Sequence, residues 1–343
     1  MAHTLFILRD SAAPTNHYTT TATSGVGTST RFIVEALTEA GFSVAMAGVA
    51  TADEIAHVVR IHRPVKVVIE TLWVNPTVFP ALLAEFPDVV WMVRDHSESC
   101  FRVLEENAFG WVIDYLNLGV MVISNAKATH DFDIMARAAG ANPCLVKWAP
   151  NIYPVSDHDV LPERSNDGIV RIGCFGAVRP MKNHITQALA ALQFAERQGV
   201  SIHFHINGYD IPGYTDPILN NLRVMFSKLP HHKLVEHHWL SHGDFLKILS
   251  TMDICSQVSF TETFNIVAAD AMTQGVPLIT SKEVPWLGHY AYRDPNSSED
   301  IAGGYSDIWT ESRTCRRWRL HRQRRDMKIY SENALLEWSV NIL

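Results

Sequence analysis

The feature that most constrains the fold is a repeated alternation of short apolar runs with amphipathic segments. Five β-rich runs occur in the first half of the chain, at 4–8, 42–47, 65–69, 89–93 and 120–124. Between them, the segments 30–40 and 126–139 are amphipathic at helical spacing. Strands that alternate with helices in this order form a parallel sheet covered by helices. The sequence therefore predicts an α/β fold.

The second half of the chain repeats this pattern after a polar, proline-containing stretch at 155–167. Its predicted strands lie at 169–175, 201–207, 233–237, 254–259 and 277–280. A chain of 343 residues also exceeds the usual size of a single hydrophobic core. We therefore predict two Rossmann-like domains, 1–153 and 154–320, followed by a helix at 321–343.

The composition indicates a folded globular protein, with 47% hydrophobic and 19% charged residues. The first apolar run ends at Arg9 and Asp10, well short of the length of a signal peptide or a membrane span. We therefore expect a cytoplasmic protein without a transmembrane segment. Five widely spaced cysteines with no CxxC pair indicate neither a disulfide framework nor a thiolate zinc site.

A glycine segment, Thr-Ser-Gly-Val-Gly-Thr-Ser-Thr at 23–30, follows the first predicted strand and opens a helix. Gly25 and Gly27 would let backbone amides approach an anionic group at the N-terminus of that helix. The alternative is that both glycines only shape a turn, while Thr28 or Ser29 caps the helix. The segment is too short to decide between these two interpretations.

Two cations, Arg179 and Lys182, lie between the predicted strand 169–175 and a helix that begins near His184. This position beyond the carboxyl end of a strand favours a ligand site, and two cations there suit a diphosphate. The alternative is an ordinary surface turn with solvated basic side chains.

Glu262 and Asp270 are separated by seven residues, at the point where a strand passes into a helix. If that helix starts near Asn265, the amides of Phe264, Asn265 and Ile266 point at any anion that docks there. Asp270 could then accept hydrogen bonds from sugar hydroxyls. The alternative is an acid near a helix N-terminus followed by a buried apolar stripe, with no ligand.

Together, the Glu262–Asp270 spacing, the Lys182 turn and the glycine segment resemble the family 4 retaining glycosyltransferases, including members from bacteriophages and bacteria. The resemblance covers nearly the whole chain. It implies the GT-B fold, in which two Rossmann-like domains have parallel sheets that face an interdomain cleft. It also implies that 1–153 lies on the acceptor side, that 154–320 binds the nucleotide-sugar donor, and that the helix at 321–343 returns to the N-terminal domain.

The resemblance assigns roles to individual residues. It implies that Glu262 lies beside the donor sugar, that Asp270 binds the ribose hydroxyls, and that the amides of Phe264, Asn265 and Ile266 contact the donor. Asp270 stands where the family has a second Glu, so its side chain reaches less far. The family's Gly-Arg is Gly-Ala at 176–177 here, and we take Arg179 as the substitute beside Lys182.

A histidine that follows a strand of the N-terminal domain, His96, is similar to the family histidine that contacts the donor sugar. The alternative for a single histidine at a strand end is a structural residue held by hydrogen bonds. Arg94 and Asp95, on the same strand end, are weaker candidates.

The resemblance also implies retention of the anomeric configuration, and no carboxylate stands out as a covalent nucleophile. A same-face displacement would leave Arg179, Lys182 and the helix amides to stabilise the departing diphosphate. We therefore expect no metal and no other cofactor, with a UDP- or GDP-sugar as donor and UDP-glucose as the default. Seven histidines lie at 203–242, and structural or solvated roles are favoured for them over a zinc site.

The segment 313–328 carries eight Arg or Lys residues, although the net charge of the chain is −7. If the segment is helical, one stripe collects basic side chains that are candidate contacts for a polyanion: Arg313, Arg317, His321, Arg324 and Lys328. Such a stripe suits the phosphates of DNA or of lipid head groups. The alternative is a solvated helix with exposed charge.

The acceptor is not fixed by these residues. Hydroxymethylated bases in phage DNA are one candidate, and a glycan or lipid of the cell surface is the other. Two further hypotheses are a noncatalytic protein that binds a nucleotide-sugar or nucleic acid, and an isomerase of the same fold that needs no acceptor.

Overall fold

The computed structural model describes residues 4–10, 25–104, 107–155, 161–164, 167–208 and 216–343. The chain divides into two compact units, which we call the first unit (Met1–Pro154 with Tyr330–Leu343) and the second unit (Val155–Ile329). Each unit contains one sheet in which every pair of neighbouring strands is parallel. The prediction of an α/β fold with parallel sheets is confirmed.

The sheet of the first unit has six strands in the order β2-β1-β3-β4-β5-β6. The strands are β1 Thr4–Arg9, β2 Val44–Val49, β3 Lys66–Glu70, β4 Val90–Arg94, β5 Met121–Ser124 and β6 Val146–Trp148. The helices before the unit boundary are α1 Gly25–Glu39, α2 Ile55–His62, α3 Phe79–Glu85, α4 Ala108–Asn117 and α5 Ala126–Ala138. Strand β6 was not predicted, because three residues at a sheet edge carry no readable alternation.

Alternate residues along the central strands of this sheet pack on opposite faces, as strand geometry requires. Leu5 and Ile7 of β1 belong to one buried cluster, which packs beneath helices α2 to α5. Phe6 belongs to a second cluster, together with side chains of α1 and with Ala334 and Trp338. The Trp338 indole donates to the Pro150 carbonyl oxygen at 2.8 Å. The C-terminal stretch therefore packs within the first unit.

The sheet of the second unit has five strands in the order β11-β10-β7-β8-β9. The strands are β7 Ile169–Gly173, β8 Ser201–Asn207, β9 Lys233–His237, β10 Ile254–Gln257 and β11 Leu278–Thr280. The helices that follow the unit boundary are α6 His184–Gln198, α7 Asp216–Ser227, α8 His242–Leu249, α9 Ile266–Thr273, α10 Ser298–Thr310 and α11 Arg313–Glu337. The last turns of α11, from Tyr330, and a short π-helix at Trp338–Ile342 belong to the first unit. Of the helices in the described ranges, none is long and apolar enough to cross a membrane.

Strand β7 is the central strand of this sheet, and it pairs with β8 on one side and β10 on the other. The chain passes from β7 through α6 to β8, and it reaches β10 only later, so the order of the strands reverses beside β7. In open α/β sheets, a crevice forms at the carboxyl ends of the strands where the order reverses. The loops that follow β7 and β10 therefore lie beside this crevice.

Candidate donor site

A short basic turn follows β7 and lies against the loop that follows β10. Lys182 ends a single 3₁₀ turn at Pro180–Lys182, and its ammonium nitrogen lies 2.7 and 2.9 Å from the two carboxylate oxygens of Glu262. The Glu262 side chain is 5% exposed and that of Lys182 is 29% exposed. The pair therefore has a buried acid and a base that reaches solvent.

Asn265 fixes the other side of the Glu262 carboxylate. Its side-chain amide donates to Glu262 at 2.9 Å and to Gln257 at 3.0 Å. Its side-chain oxygen accepts from the amide of Ala268 at 2.9 Å, which caps helix α9. Asn265 has a left-handed backbone with φ 65°. One residue therefore ends the loop, begins the helix and orients the acid.

The basic turn is tied to β10 by a second asparagine. Asn183 is buried, has φ 60°, and donates to the carbonyl oxygens of Val258 and Pro295 at 3.0 and 2.8 Å. The amide of Phe260 donates to the carbonyl oxygen of Met181 at 2.9 Å. These contacts hold the Lys182 turn against the Glu262 loop, so the two charged side chains meet in a defined geometry.

The turn begins with Gly176, and its φ of 107° is a conformation that other residues rarely adopt. The Gly176 amide donates to the Asn207 side chain at 2.8 Å, which connects the turn to the end of β8. Arg179 follows as an exposed residue immediately before the 3₁₀ turn. Arg179 and Lys182 thus lie on the same short loop, as the sequence predicts.

Helix α9 begins at Ile266, one residue after the predicted start. Phe264 is buried, and its carbonyl oxygen accepts from the Trp286 indole at 2.8 Å. The amides of the first turn of a helix point outward along its axis and favour negative charge. The residues predicted to offer amides, Phe264, Asn265 and Ile266, therefore lie next to the Lys182–Glu262 pair in the chain and in space.

Asp270 lies one turn further along α9, and its side chain is only 2% exposed. One carboxylate oxygen lies 2.9 Å from Nε2 of His242, the first residue of α8. The His242 side chain is 21% exposed and is therefore the more accessible member of this pair. The sequence does not indicate the role of His242, because nothing local connects this histidine to Asp270, which lies 28 positions away.

Two further histidines of the second unit, His205 and His237, form a stacked pair. The rings of His205 and His237 are 5.2 Å apart, with a hydrogen bond of 3.0 Å between them. Burial, with a smaller contribution from the charge of His237, lowers the pKa of His205 to about 3. Within the ranges that the structure describes, no three His, Cys, Asp or Glu side chains are grouped to hold a metal ion.

A separate polar cluster in the first unit contains His96. The Nε2 atom of His96 lies 2.5 Å from a carboxylate oxygen of Glu70, the last residue of β3, and the Glu70 side chain is fully buried. Burial acts to raise the pKa of Glu70, but Arg94 and His96 outweigh it, and the net shift is downward. Glu70 is therefore an anion that accepts the Nε2 proton of His96.

Arg94 and Asp95, the weaker candidates beside His96, are both buried. Arg94 donates to the Ala149 carbonyl oxygen at 3.2 Å and to the Asn151 side chain at 2.5 Å. Asp95 pairs with Arg102, and burial raises its pKa. Both side chains hold the end of β4 in place. Glu70 was not predicted, although a glutamate that ends the buried run at 66–70 is the signal that could have found it.

The glycine segment opens a helix, as predicted, but this helix is longer than the amphipathic stretch at 30–40. Helix α1 begins at Gly25 and not near Thr30, so Gly25 and Gly27 belong to its first turn. Thr28 and Ser29 lie inside the helix, and the interpretation in which they cap it is wrong. Residues 23 and 24 lie outside the described ranges.

The basic segment is helical, as predicted, and forms the first half of α11. Arg313, Arg317 and Lys328 are exposed. Arg324 is buried at 8% exposure, so its prediction as a polyanion contact is wrong. The predicted stripe spans about 80° of the helix, and Arg324 lies on the side of the stripe that adjoins the buried residues Leu320 and Met327.

No protein-family profile matches the sequence, and no curated protein matches it. Solved structures do match over the whole chain. The trehalose-6-phosphate synthase OtsA has a TM-score of 0.68 at 11% identity, with 98% of each chain covered. A UDP-forming trehalose-phosphate synthase from Burkholderia xenovorans has a TM-score of 0.66 at 11% identity over 100% of both chains. The Anabaena protein HepE, solved with UDP and glucose, has a TM-score of 0.63 at 14% identity, with 99% of this chain and 100% of that chain covered.

These likenesses show that the chain has the GT-B fold, which confirms the fold class predicted from the sequence. They do not show membership of glycosyltransferase family 4. A shared fold at such identity leaves the reaction to be argued from the site.

Proposed function

We propose that this GT-B chain is a retaining glycosyltransferase that takes a sugar from a nucleotide-sugar donor. The observation that carries the proposal is the Lys182–Glu262 pair, held beside the N-terminus of α9 at the carboxyl ends of β7 and β10. An ammonium and helix amides suit a diphosphate, while a buried acid suits sugar hydroxyls. The loops that follow β7 and β10 carry both the groups that suit a diphosphate and the acid that suits a sugar.

We assign the donor to the second unit. Arg179 and Lys182 would contact the diphosphate together with the amides of Phe264, Asn265 and Ile266. Glu262 would bind the sugar, and Asp270 would bind the ribose hydroxyls with the help of His242, the more exposed partner of the pair. UDP-glucose is the first donor to test, because HepE was solved with UDP and glucose and the Burkholderia xenovorans synthase is named as UDP-forming.

The proposed reaction is a same-face displacement. The bond between the anomeric carbon and the diphosphate oxygen breaks, and the acceptor oxygen forms its bond on the face that the diphosphate leaves. The acceptor proton passes to the departing diphosphate. Negative charge builds on that group in the transition state, and Lys182, Arg179 and the helix amides stabilise it. This scheme requires no metal ion.

We assign to the first unit the acceptor side and the contact of His96 with the donor sugar. Glu70 supports this role because it is anionic and accepts the Nε2 proton, which fixes the ring and its tautomer. The Nδ1 atom is then the ring nitrogen that is left to contact a sugar hydroxyl. Glu70 is a positioning residue in this scheme, since it acts through His96.

The class of acceptor is identified by a transfer assay with a panel of acceptors. Labelled sugar is offered from UDP and GDP donors to hydroxymethylcytosine DNA, unmodified DNA, simple glycans and lipid acceptors. Label in modified DNA identifies a DNA glycosyltransferase, and label in a glycan or lipid identifies the alternative acceptor class.

The same assay tests the site. Glu262→Ala is expected to abolish transfer, whereas Glu196→Ala, which removes an exposed carboxylate from α6, is the matched control. A rearranged donor without any acceptor would identify an isomerase. Donor binding without any product would identify a noncatalytic binding protein and would refute the proposal.

A further inference from the structure

The structure divides the basic residues of α11 into two sets. One set faces inward: Arg316 donates to the Pro162 carbonyl oxygen at 2.8 Å, Arg319 pairs with Glu311, and Arg324 is buried. Arg316 and Arg319 hold the helix in the second unit. The other basic residues of α11 face outward, and large apolar side chains lie among them. Solvation of the charges does not account for these exposed apolar side chains.

The outward set forms what we call the basic-aromatic face, consisting of Arg317, Trp318, Arg322, Arg325, Lys328 and Ile329. At about 100° per residue, these six positions fall within about 140° of the helix circumference. Trp318 is 61% exposed and Ile329 is 47% exposed. The face therefore combines four cations with two large apolar side chains that lie in solvent.

Arg322 organises this face. Its guanidinium lies 4.2 Å from the ring centroid of Tyr290 and 5.5 Å from that of Trp318. Stacking between a guanidinium and an aromatic ring is favourable and directional. The Tyr290 hydroxyl in turn donates to Asp326 at 2.9 Å. Trp318 is thus held against a cation while most of its surface stays exposed.

We propose that the basic-aromatic face binds the surface of a bilayer that contains anionic lipids. Cations attract the head groups, and tryptophan is the side chain that favours the boundary between head groups and acyl chains. DNA phosphates would use the four cations but would leave Trp318 and Ile329 without a role. The overall charge of −7 also means that any attraction to an anionic surface is local to this face.

The proposal is independent of sugar transfer and is tested without a donor. The full chain is sedimented with vesicles of phosphatidylglycerol and phosphatidylcholine in equal parts, and with vesicles of phosphatidylcholine alone. Each basic residue near an anionic membrane contributes about fivefold to partitioning. The triple variant R322Q/R325Q/K328Q is therefore expected to lose on the order of a hundredfold in binding to the mixed vesicles.

The matched control is K228Q/K233Q/K282Q, which removes the same charge from exposed positions of the second unit. We expect it to bind mixed vesicles like the wild-type chain, whereas Trp318→Ala should bind several-fold more weakly. Equal losses in both triple variants, or no binding to mixed vesicles, would overturn the proposal. So would duplex DNA that binds more tightly than vesicles and is insensitive to Trp318→Ala, because this result would identify a simple phosphate contact.

Discussion

Removing the Lys182 ammonium is expected to abolish most sugar transfer and to leave the protein folded. The Lys182–Glu262 pair has two hydrogen bonds of 2.7 and 2.9 Å, and its side chains are 29% and 5% exposed. Exposed pairs contribute about 0–1 kcal/mol, and breaking a buried pair costs about 3–5 kcal/mol. Glu262 keeps its hydrogen bond from Asn265 in Lys182→Ala. We therefore expect a loss of about 1–2 kcal/mol in the free energy of unfolding.

The expected loss of activity is larger, because the ammonium acts on charge that develops only in the transition state. Removal of one such group lowers kcat by about 10²- to 10³-fold, which corresponds to about 3–4 kcal/mol. A variant that is slightly less stable but much less active would separate the catalytic role of Lys182 from its structural role. Lys182→Arg should recover part of the activity, because it restores the charge with a different geometry.

The measurements are urea unfolding followed by circular dichroism, and transfer of labelled sugar at saturating donor. Lys228→Ala removes an exposed lysine of the same unit and serves as the control for charge. If kcat of a folded Lys182→Ala protein falls by less than about tenfold, Lys182 does not stabilise the transition state and the proposed mechanism fails.

Three further predictions follow from the described contacts. Glu70→Gln is expected to lower kcat/KM for transfer at least about tenfold, because it weakens the hydrogen bond that orients the His96 ring. Glu39→Gln, at an exposed position, is the control, and unchanged steady-state kinetics in Glu70→Gln would contradict this role. Gly176→Ala should cost about 1–2 kcal/mol in urea unfolding because φ is 107°, although an added Cβ meets nothing within 4 Å. Gly243→Ala, inside α8 with equal space, should cost nothing, and an equal loss in both variants would refute the conformational cause. His205 has a folded pKa of about 3, below the unfolded value, so its contribution to stability is complete above about pH 6.5 and is lost as the pH falls towards 3. Between pH 7 and 5 the wild-type chain should lose about 2 kcal/mol more than His205→Phe, and parallel stability curves would exclude this linkage.

The parts of the fold that the sequence predicts are those set by local periodicity. Strands β8 and β9 were predicted with the bounds that the structure shows, because each is a continuous run with clear ends. Strand β6 was missed because three residues at an edge gain their structure from pairing with β5. The amphipathic stretch at 30–40 misses the start of helix α1, because the glycines of its first turn carry no helical signal.

The candidate site shows the same division between local and long-range information. The seven-residue spacing of Glu262 and Asp270 is local, and it led directly to the helix that carries Asp270. The partners His242 and Glu70 are distant in sequence from the residues they touch, by 28 and 26 positions. Such contacts depend on which strand ends are neighbours, and strand order cannot be derived from the periodicity of a single sequence.

Positions 183 and 265 both have a left-handed backbone conformation, and both are asparagine, although glycine adopts this conformation with less strain. Each position stores about 1 kcal/mol or more of backbone strain that a glycine would relieve. Each side chain also makes two donor contacts that a glycine would lose, and those contacts align the Lys182 turn with Glu262. Loss of two buried hydrogen bonds costs about 1–3 kcal/mol, which exceeds the strain that a glycine would relieve, so selection for thermal stability and selection for transfer should both retain asparagine at these positions.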